Sequence, residues 1–221
     1  MSNKQVGFIF DMNGTMIDDM AYHAKGWYNI LTDDLGSNLT FEEVSKEMYG
    51  KNSEVIERVF GKGKFTLKEM DYWSVEKEKR YQAAYLPQLK LIDGLHDFFD
   101  AAFQADIPMS IGSAAIPFNI DFVITNLNLQ KYFKAIVSAD DVAISKPHPE
   151  TFTKAAKLMG IDPTNCIVFE DAPKGVEAAE NAGMKCVVIT TMHGAEEFSR
   201  YKNIICFISD YTKLKITDLA F

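Results

Sequence analysis

Four short segments carry the side chains with which this sequence could do chemistry. Phe10-Asp11-Met12-Asn13-Gly14-Thr15 sets a carboxylate, an amide, a flexible glycine and a hydroxyl on one turn. Ser113-Ala114-Ala115 offers a hydroxyl and successive backbone N–H groups, which can bind phosphate oxygens without net charge when a helix follows. In Ser145-Lys146-Pro147-His148-Pro149-Glu150 two prolines stiffen the backbone around one lysine. Phe169-Glu170-Asp171 ends in adjacent acids, which repel one another unless a cation or a basic group intervenes. A Mg²⁺ shared by carboxylates, substrate phosphate and water would supply that compensation. Taken singly, each segment also has a plain structural meaning. Asn13-Gly14 makes a turn in which Asp11 serves nearby N–H groups, Ser113 caps a helix, and Lys146 is a surface residue before a Pro-initiated helix.

Chemistry would require a scaffold that brings these distant turns together. Short β-rich runs at 6–10, 107–112, 135–138, 166–169, 185–190 and 204–208 read as buried strands, and helical spacing marks 95–105, 118–127, 149–159 and 175–182, the last stopped by Gly183. Strand alternating with helix predicts an α/β fold, a Rossmann-like parallel sheet with helices on both faces and working residues at the carboxyl ends of its strands. Each of the four segments follows one of the first four strands. Between 16 and about 85 the alternation stops, leaving aromatic- and charge-rich helical sequence with turns near Gly36, Gly50 and Gly61. The expected organisation is a core domain of residues 1–15 and 88–221 interrupted by an all-helical insertion, 16–87.

Composition narrows the function classes. The 221 residues are 47% apolar and 24% charged, an ordinary globular balance that excludes a long disordered chain. A net charge of −8 has the wrong sign for gathering nucleic acid or anionic lipid through the overall field. No apolar run approaches the ~18 residues of a membrane span, and Asp11 cuts the N-terminal run short of a signal core. Cys166, Cys186 and Cys206 form no CxxC pair and sit in apolar runs, so buried reduced thiols and a cytoplasmic protein are expected.

With these motifs in order, the chain resembles the haloacid dehalogenase superfamily, in particular its β-phosphoglucomutase-like phosphatases with a helical cap. The likeness spans essentially the whole chain. Its four motifs match Asp11–Thr15, Ser113, Lys146 and Glu170-Asp171, and the helical insertion follows the first motif as it does in that subgroup. The resemblance implies a phosphatase in which Asp11 attacks phosphorus to form an aspartyl-phosphate. It implies that Mg²⁺ is held by Asp11, Asp171 and the backbone carbonyl of Asn13, with Glu170 in or near that shell. Ser113, the Ala114 N–H and Lys146 would hold phosphoryl oxygens. The implied partner is a small-molecule phosphate substrate, on a monomer that binds neither nucleic acid nor membrane.

One position departs from the family pattern. Active members of the family usually carry Asp where this chain has Asn13, and a carboxamide can neither protonate a leaving oxygen nor take a proton from water. General acid–base catalysis contributes ~10²–10⁴-fold, a minor share of what phosphate-ester enzymes achieve. Impaired turnover is expected, with weakly basic leaving groups favoured or the phospho-enzyme accumulating. A phosphosugar mutase and a phosphometabolite-binding protein with little turnover are the alternatives. Deamidation at Asn13-Gly14 would regenerate Asp, but a tightly held turn restricts it.

The resemblance also points to the insertion as the source of specificity. Ala21-Tyr22-His23 resembles a stretch near the cap entrance, and His23 is either a substrate contact or a packed structural residue. Glu47-Met48-Tyr49-Gly50-Lys51-Asn52 resembles the cap loop that bears a basic residue, which makes Lys51 the preferred cap contact over a solvated helix-start lysine. Glu76-Lys77-Glu78-Lys79-Arg80 reads as a solvated helix face. Trp27, Tyr72, Trp73 and Tyr81 read as insertion core, while His148 and His193 lack a liganding cluster.

Overall fold

A computed structural model describes residues 5–219. Among them six strands form one sheet: β1 Gly7–Phe10, β2 Met109–Gly112, β3 Phe133–Val137, β4 Cys166–Glu170, β5 Lys185–Ile189 and β6 Ile204–Ile208. Their order is β3-β2-β1-β4-β5-β6, and every neighbouring pair runs parallel. Eight α-helices accompany them: α1 Met20–Tyr28, α2 Phe41–Glu47, α3 Asn52–Phe60, α4 Leu67–Tyr85, α5 Leu95–Gln104, α6 Pro117–Asn126, α7 Glu150–Met159 and α8 Pro173–Asn181. The chain divides into two compact units, one taking in the chain through Asp18 and from Lys90 onward, the other Asp19–Leu89. None of the described helices is long and apolar enough to cross a membrane.

The α/β unit follows from strands that are apolar on both faces. Along β1, Phe8 and Phe10 point one way and Ile9 the other, as a two-residue period requires, and all three are buried. Ile9 joins Val168, Val188, Phe152 of α7 and Val176 of α8 in one core cluster. On the opposite face Phe10 stacks on Phe169 with centroids 4.3 Å apart and meets Phe99 of α5 edge-on at 5.1 Å. Burying such a ring stabilises the fold by ~1.5–3 kcal/mol. The Phe10–Phe169 stack also fixes the two strand ends from which Asp11 and Glu170 emerge.

Not every strand is buried, contrary to the reading of uniformly apolar runs. β3 and β6 alternate partly buried with exposed residues, because the strand order leaves them as the sheet edges. Cys166 and Cys186 are buried free thiols, whereas Cys206, on the edge strand, is only partly covered.

The second unit is wholly helical. Thr40 and Thr66 begin α2 and α4 with reciprocal capping boxes to Glu43 and Glu69. A π-helical stretch, Asn29–Asp34, continues α1. Trp27, Ile30, Leu31, Val44, Val55, Ile56 and Met70 form this unit's core, with Trp73 packed against it. Tyr81 is buried, but Tyr72 is 59% exposed and so is not the core residue expected.

The segment 76–80 departs furthest from its solvated reading, since Lys77 and Glu78 are each only 2% exposed. Helical periodicity puts them on the inward side with Met70, Ser74 and Tyr81. Their charges are tolerated because they pair, Lys77 Nζ lying 3.0 Å from Glu78 Oε1. Glu76 and Arg80 keep the expected surface role, bonded to each other at 3.0 Å.

Candidate active site

Four parallel strands deliver their motif residues to the carboxyl edge of the sheet, around the point where strand order reverses between β1 and β4. That crevice is where open α/β sheets bind ligands. Asp11 follows β1 and its N–H is bonded to Phe169 O at 2.9 Å. From the loop after β3, Lys146 reaches across to donate to Asp11 Oδ1 at 2.6 Å, Glu170 Oε1 at 2.8 Å and Gly112 O at 3.1 Å. One ammonium thus ties together the ends of β1, β2 and β4. The Lys146–Pro147 peptide bond is cis, and Asn181 of α8 donates to Pro147 O at 3.0 Å, which tethers that loop.

Glu170 is committed to its neighbours. Besides Lys146, it accepts the N–H groups of Asp171 and Ala172 on Oε2, both at 2.9 Å. Its carboxylate lies so close to Gly175 that a Cβ there would come within 1.8 Å of Oε1. Gly175, inside the first turn of α8, is therefore a requirement for seating Glu170. Asp171 lies against the first motif: Thr15 Oγ1 is 3.4 Å from its Oδ1, and a Cβ on Gly14 would stand 2.1 Å from its Oδ2. Gly14 also adopts φ +74°, so both conformation and space call for glycine at this turn.

The first-motif turn is held from several directions. Gly14 N–H donates to Ile17 O at 2.8 Å, which occupies the nitrogen that deamidation of Asn13 would need. Thr191, just past β5, donates to Gly14 O at 2.7 Å, and the buried Tyr211 hydroxyl donates to Thr15 O at 3.0 Å. Sequence reasoning missed Gly175, Thr191 and Tyr211 as supports. A threonine at a strand's carboxyl end is a usable signal for Thr191, but Tyr211 offers none, since only the tertiary fold brings it back to the turn. Ser113 is buried, its Oγ accepting from Ala115 N–H at 3.1 Å while its own N–H is bonded to Val137 O. The Ser113–Ala115 turn is anchored on the β2 and β3 ends.

Electrostatically the site holds more acid than base. Asp11, Glu170 and Asp171 are all buried, with Lys146 the cation bonded to two of them. Burial pushes Asp11 up to about 7, Lys146 only partly opposing it and Glu170 adding to it. Asp171 is raised well above the usual carboxylate range, first by burial and then by Glu170 and Asp11. Burial works against the Lys146 ammonium, but Asp11 and Glu170 together override it and raise the lysine, so it stays charged. An all-oxygen, carboxylate-rich set with unbalanced negative charge suits a hard divalent cation. Among the described residues no three His, Cys, Asp or Glu side chains form one ligand cluster, in keeping with Glu170 being spent on Lys146 and two N–H groups.

The remaining candidates lie in the helical unit or on the surface. His23 is buried, with Nε2 3.2 Å from Asp19 Oδ2, Nδ1 2.5 Å from Lys77 Nζ and its ring stacked on Tyr81 at 3.9 Å. Nδ1 thus faces Lys77 and Nε2 faces Asp19. Lys51 is the N-cap residue of α3 and is half-buried. His148 and His193 pair with Glu150 and Glu197.

Sheet order, the switch-point crevice and its lysine-bridged carboxylates together define a Rossmann-like α/β fold with a candidate active site at its switch point. Residues 8–189 match the family model described as haloacid dehalogenase-like hydrolase. A fructose-1-phosphate phosphatase of Escherichia coli is 30% identical over 194 residues, covering 85% of this chain and 97% of that protein. A β-phosphoglucomutase of Bacillus subtilis is 28% identical over 184 residues, 81% of this chain and 80% of that protein. Among solved structures, a haloacid dehalogenase hydrolase of family IA from Entamoeba histolytica superposes with a TM-score of 0.85 at 27% identity, covering 97% of each chain. The chain belongs to the haloacid dehalogenase-like hydrolases, and it is a phosphatase.

Proposed function

We propose that this phosphatase hydrolyses a small phosphorylated metabolite through a phosphorylated Asp11. An Asp11 oxygen attacks phosphorus, the bond from phosphorus to the leaving oxygen breaks, and the leaving group departs with that electron pair. Water then attacks phosphorus, the Asp11–phosphate bond breaks, and free carboxylate and inorganic phosphate result. The observation that carries this reading is the Lys146 ammonium bonded at once to Asp11, Glu170 and the Gly112 carbonyl. It lowers the repulsion that a carboxylate meets when it approaches an anionic phosphate. Ser113 and the Ala114 N–H are assigned to phosphoryl oxygens. Asp11, Asp171 and the Asn13 carbonyl are the proposed Mg²⁺ ligands, with Glu170 beside them holding Lys146. Bound Mg²⁺ would neutralise charge on the transferring group.

Asn13 shapes which substrates turn over. Its amide cannot exchange a proton with the leaving oxygen or with water, so acyl and aryl phosphates, whose leaving oxygens are weak bases, should outpace sugar phosphates. A mutase would ask more of position 13, because it must activate a sugar hydroxyl. His23 and Lys51 are proposed, on family resemblance, as contacts to the leaving group in a helical cap, and a cytoplasmic setting accords with the free thiols.

The test is a phosphate-release screen over sugar, nucleotide, acyl and aryl phosphates on the native chain, Asn13→Asp and Asp11→Asn. Asn13→Asp should gain ~10²–10⁴-fold on alkyl esters and little on acetyl phosphate, while Asp11→Asn should abolish release from all. Release that survives Asp11→Asn would overturn the mechanism. Tight Mg²⁺-dependent binding with no release from the panel would favour the binding-protein alternative.

A further inference from the structure

The turn that follows Asp11 is wound around a single carbonyl and held by two hydroxyls from late in the chain. Met12 O accepts the N–H groups of Thr15 at 3.3 Å, Met16 at 2.8 Å and Ile17 at 3.3 Å. The Met12 N–H in turn donates to the Asp11 carboxylate, so a rotation of the turn about Met12 would carry that carboxylate with it. The next two carbonyls accept from side chains: Thr191 Oγ1 donates to Gly14 O at 2.7 Å and the Tyr211 hydroxyl to Thr15 O at 3.0 Å, across 177 and 196 residues of sequence. Each donor is itself fixed. Thr191 follows β5, whose end is locked to β6 where Thr190 donates to Ile208 O through its N–H at 2.9 Å and its Oγ1 at 3.3 Å. Tyr211 is 2% exposed, its N–H bonded to Asp93 O at 2.9 Å and its ring set 5.8 Å from that of Phe98 and 6.1 Å from that of Phe169. Phe169 stacks on Phe10, the residue before Asp11.

Satisfying two carbonyls does not by itself call for this arrangement. Ordered water can accept that task, but a water follows its acceptor as the acceptor moves. A hydroxyl on a rigid stem fixes the direction of the carbonyl as well, and fixing two consecutive carbonyls removes the remaining freedom of the Gly14–Thr15 peptide. That freedom is otherwise large, because Gly14 has no Cβ to restrict it and sits at φ +74°. We propose that Thr191 and Tyr211 are positioning residues for phosphoryl transfer, holding the turn and with it the Asp11 carboxylate in the attacking position, a role that rests on the reading of Asp11 as the nucleophile. Both act through the backbone and not on the substrate. Their loss should therefore slow the chemical step and leave substrate binding nearly intact.

Three single variants test the two hydroxyls without removing a charge. Thr191→Val keeps the shape and deletes one hydroxyl, Thr191→Ser keeps that hydroxyl, and Tyr211→Phe deletes the other with its ring in place. With p-nitrophenyl phosphate, Thr191→Val and Tyr211→Phe should each lower kcat by about tenfold and leave KM within about twofold, whereas Thr191→Ser should keep kcat within about twofold of the native value. The double variant Thr191→Val with Tyr211→Phe should lose little more than the worse single one, because both hydroxyls hold the same peptide. Hydrogen exchange at residues 12–17, measured in chelator, reads the turn without any turnover. It should be about tenfold faster in both deletion variants and native-like in Thr191→Ser. Unchanged kcat in the deletion variants, a KM that rises as far as kcat falls, or a Thr191→Ser variant as impaired as Thr191→Val would overturn the proposal. Equal phosphate release by the native chain and Asp11→Asn would instead overturn the Asp11 mechanism, while the exchange rates would still show whether the hydroxyls hold the turn, and the two failures are therefore distinct.

Discussion

At the level of single residues, the site is organised by what Lys146 and the two glycines permit. Lys146 could be singled out in the sequence because two prolines follow it closely, and Asp11 because it follows the first strand. Glu170 was legible as part of an acidic pair but not as the residue that fixes Lys146, because that depends on a register between β1 and β4 that no local pattern encodes. Gly175 was legible only as a helix residue. Its function is steric: with any Cβ inside 2.4 Å of all three Glu170 carboxyl atoms, the Gly175→Ala variant must expel that side chain. Lys146 would then lose one of its two anionic partners and its fixed position. Gly175→Ala should therefore fold, since Ala is the better helix former by ~1 kcal/mol, yet lose phosphate release by about 10²-fold, as expected for a misplaced catalytic group. Steady-state kinetics together with circular dichroism check both halves. Full activity would show that Glu170 does not position Lys146.

At the level of elements, periodicity revealed the six strands and the helices of the α/β unit because both sheet faces are apolar and their turns are punctuated by Gly and Pro. It failed on α4, where a charged run at 76–80 hides two inward residues. The sequence pattern of alternating signs is the same whether those residues face solvent or one another, and only the partner His23, more than fifty residues earlier in the chain, distinguishes the two. Burial lowers the proton affinity of Lys77, with Glu78 as the main opposing influence, so the pair is stable only while both members are present. Lys77→Met should cost ~3–5 kcal/mol by leaving Glu78 buried without its cation, and the double variant Lys77→Met with Glu78→Leu should recover most of that loss. Urea unfolding followed by the fluorescence of Trp27 and Trp73, both in this unit, provides the measurement. Additive losses in the double variant would mean that the two charges do not stabilise one another.

For the molecule as a whole, the acidic excess of the site, together with the proposed Mg²⁺ ligands, predicts a stability that depends on pH and on divalent metal together. In the folded protein Asp11 is raised to about 7 and Asp171 is raised as well, whereas both unfold to ordinary carboxylates near ~3.9. A carboxyl that holds its proton more tightly when folded contributes stability in full below its unfolded value, and that contribution is lost as pH rises through the folded one. Without metal, stability should therefore fall between about pH 4 and pH 7. Mg²⁺ competes with those protons, so its stabilisation should be largest above pH 7 and fade towards pH 5. At ~100 times its dissociation constant a ligand adds ~2.7 kcal/mol, which for a chain of this length is a Tm gain of ~5–10 °C. Thermal unfolding with Mg²⁺ and with a chelator, at about pH 8 and about pH 5.5, should show that gain at the higher pH only. Asp11→Asn should raise Tm in chelator at the higher pH, by removing a buried charge, and should lose most of the Mg²⁺ effect. An equal Mg²⁺ shift at both pH values, or one that survives Asp11→Asn, would move the cation away from this carboxylate.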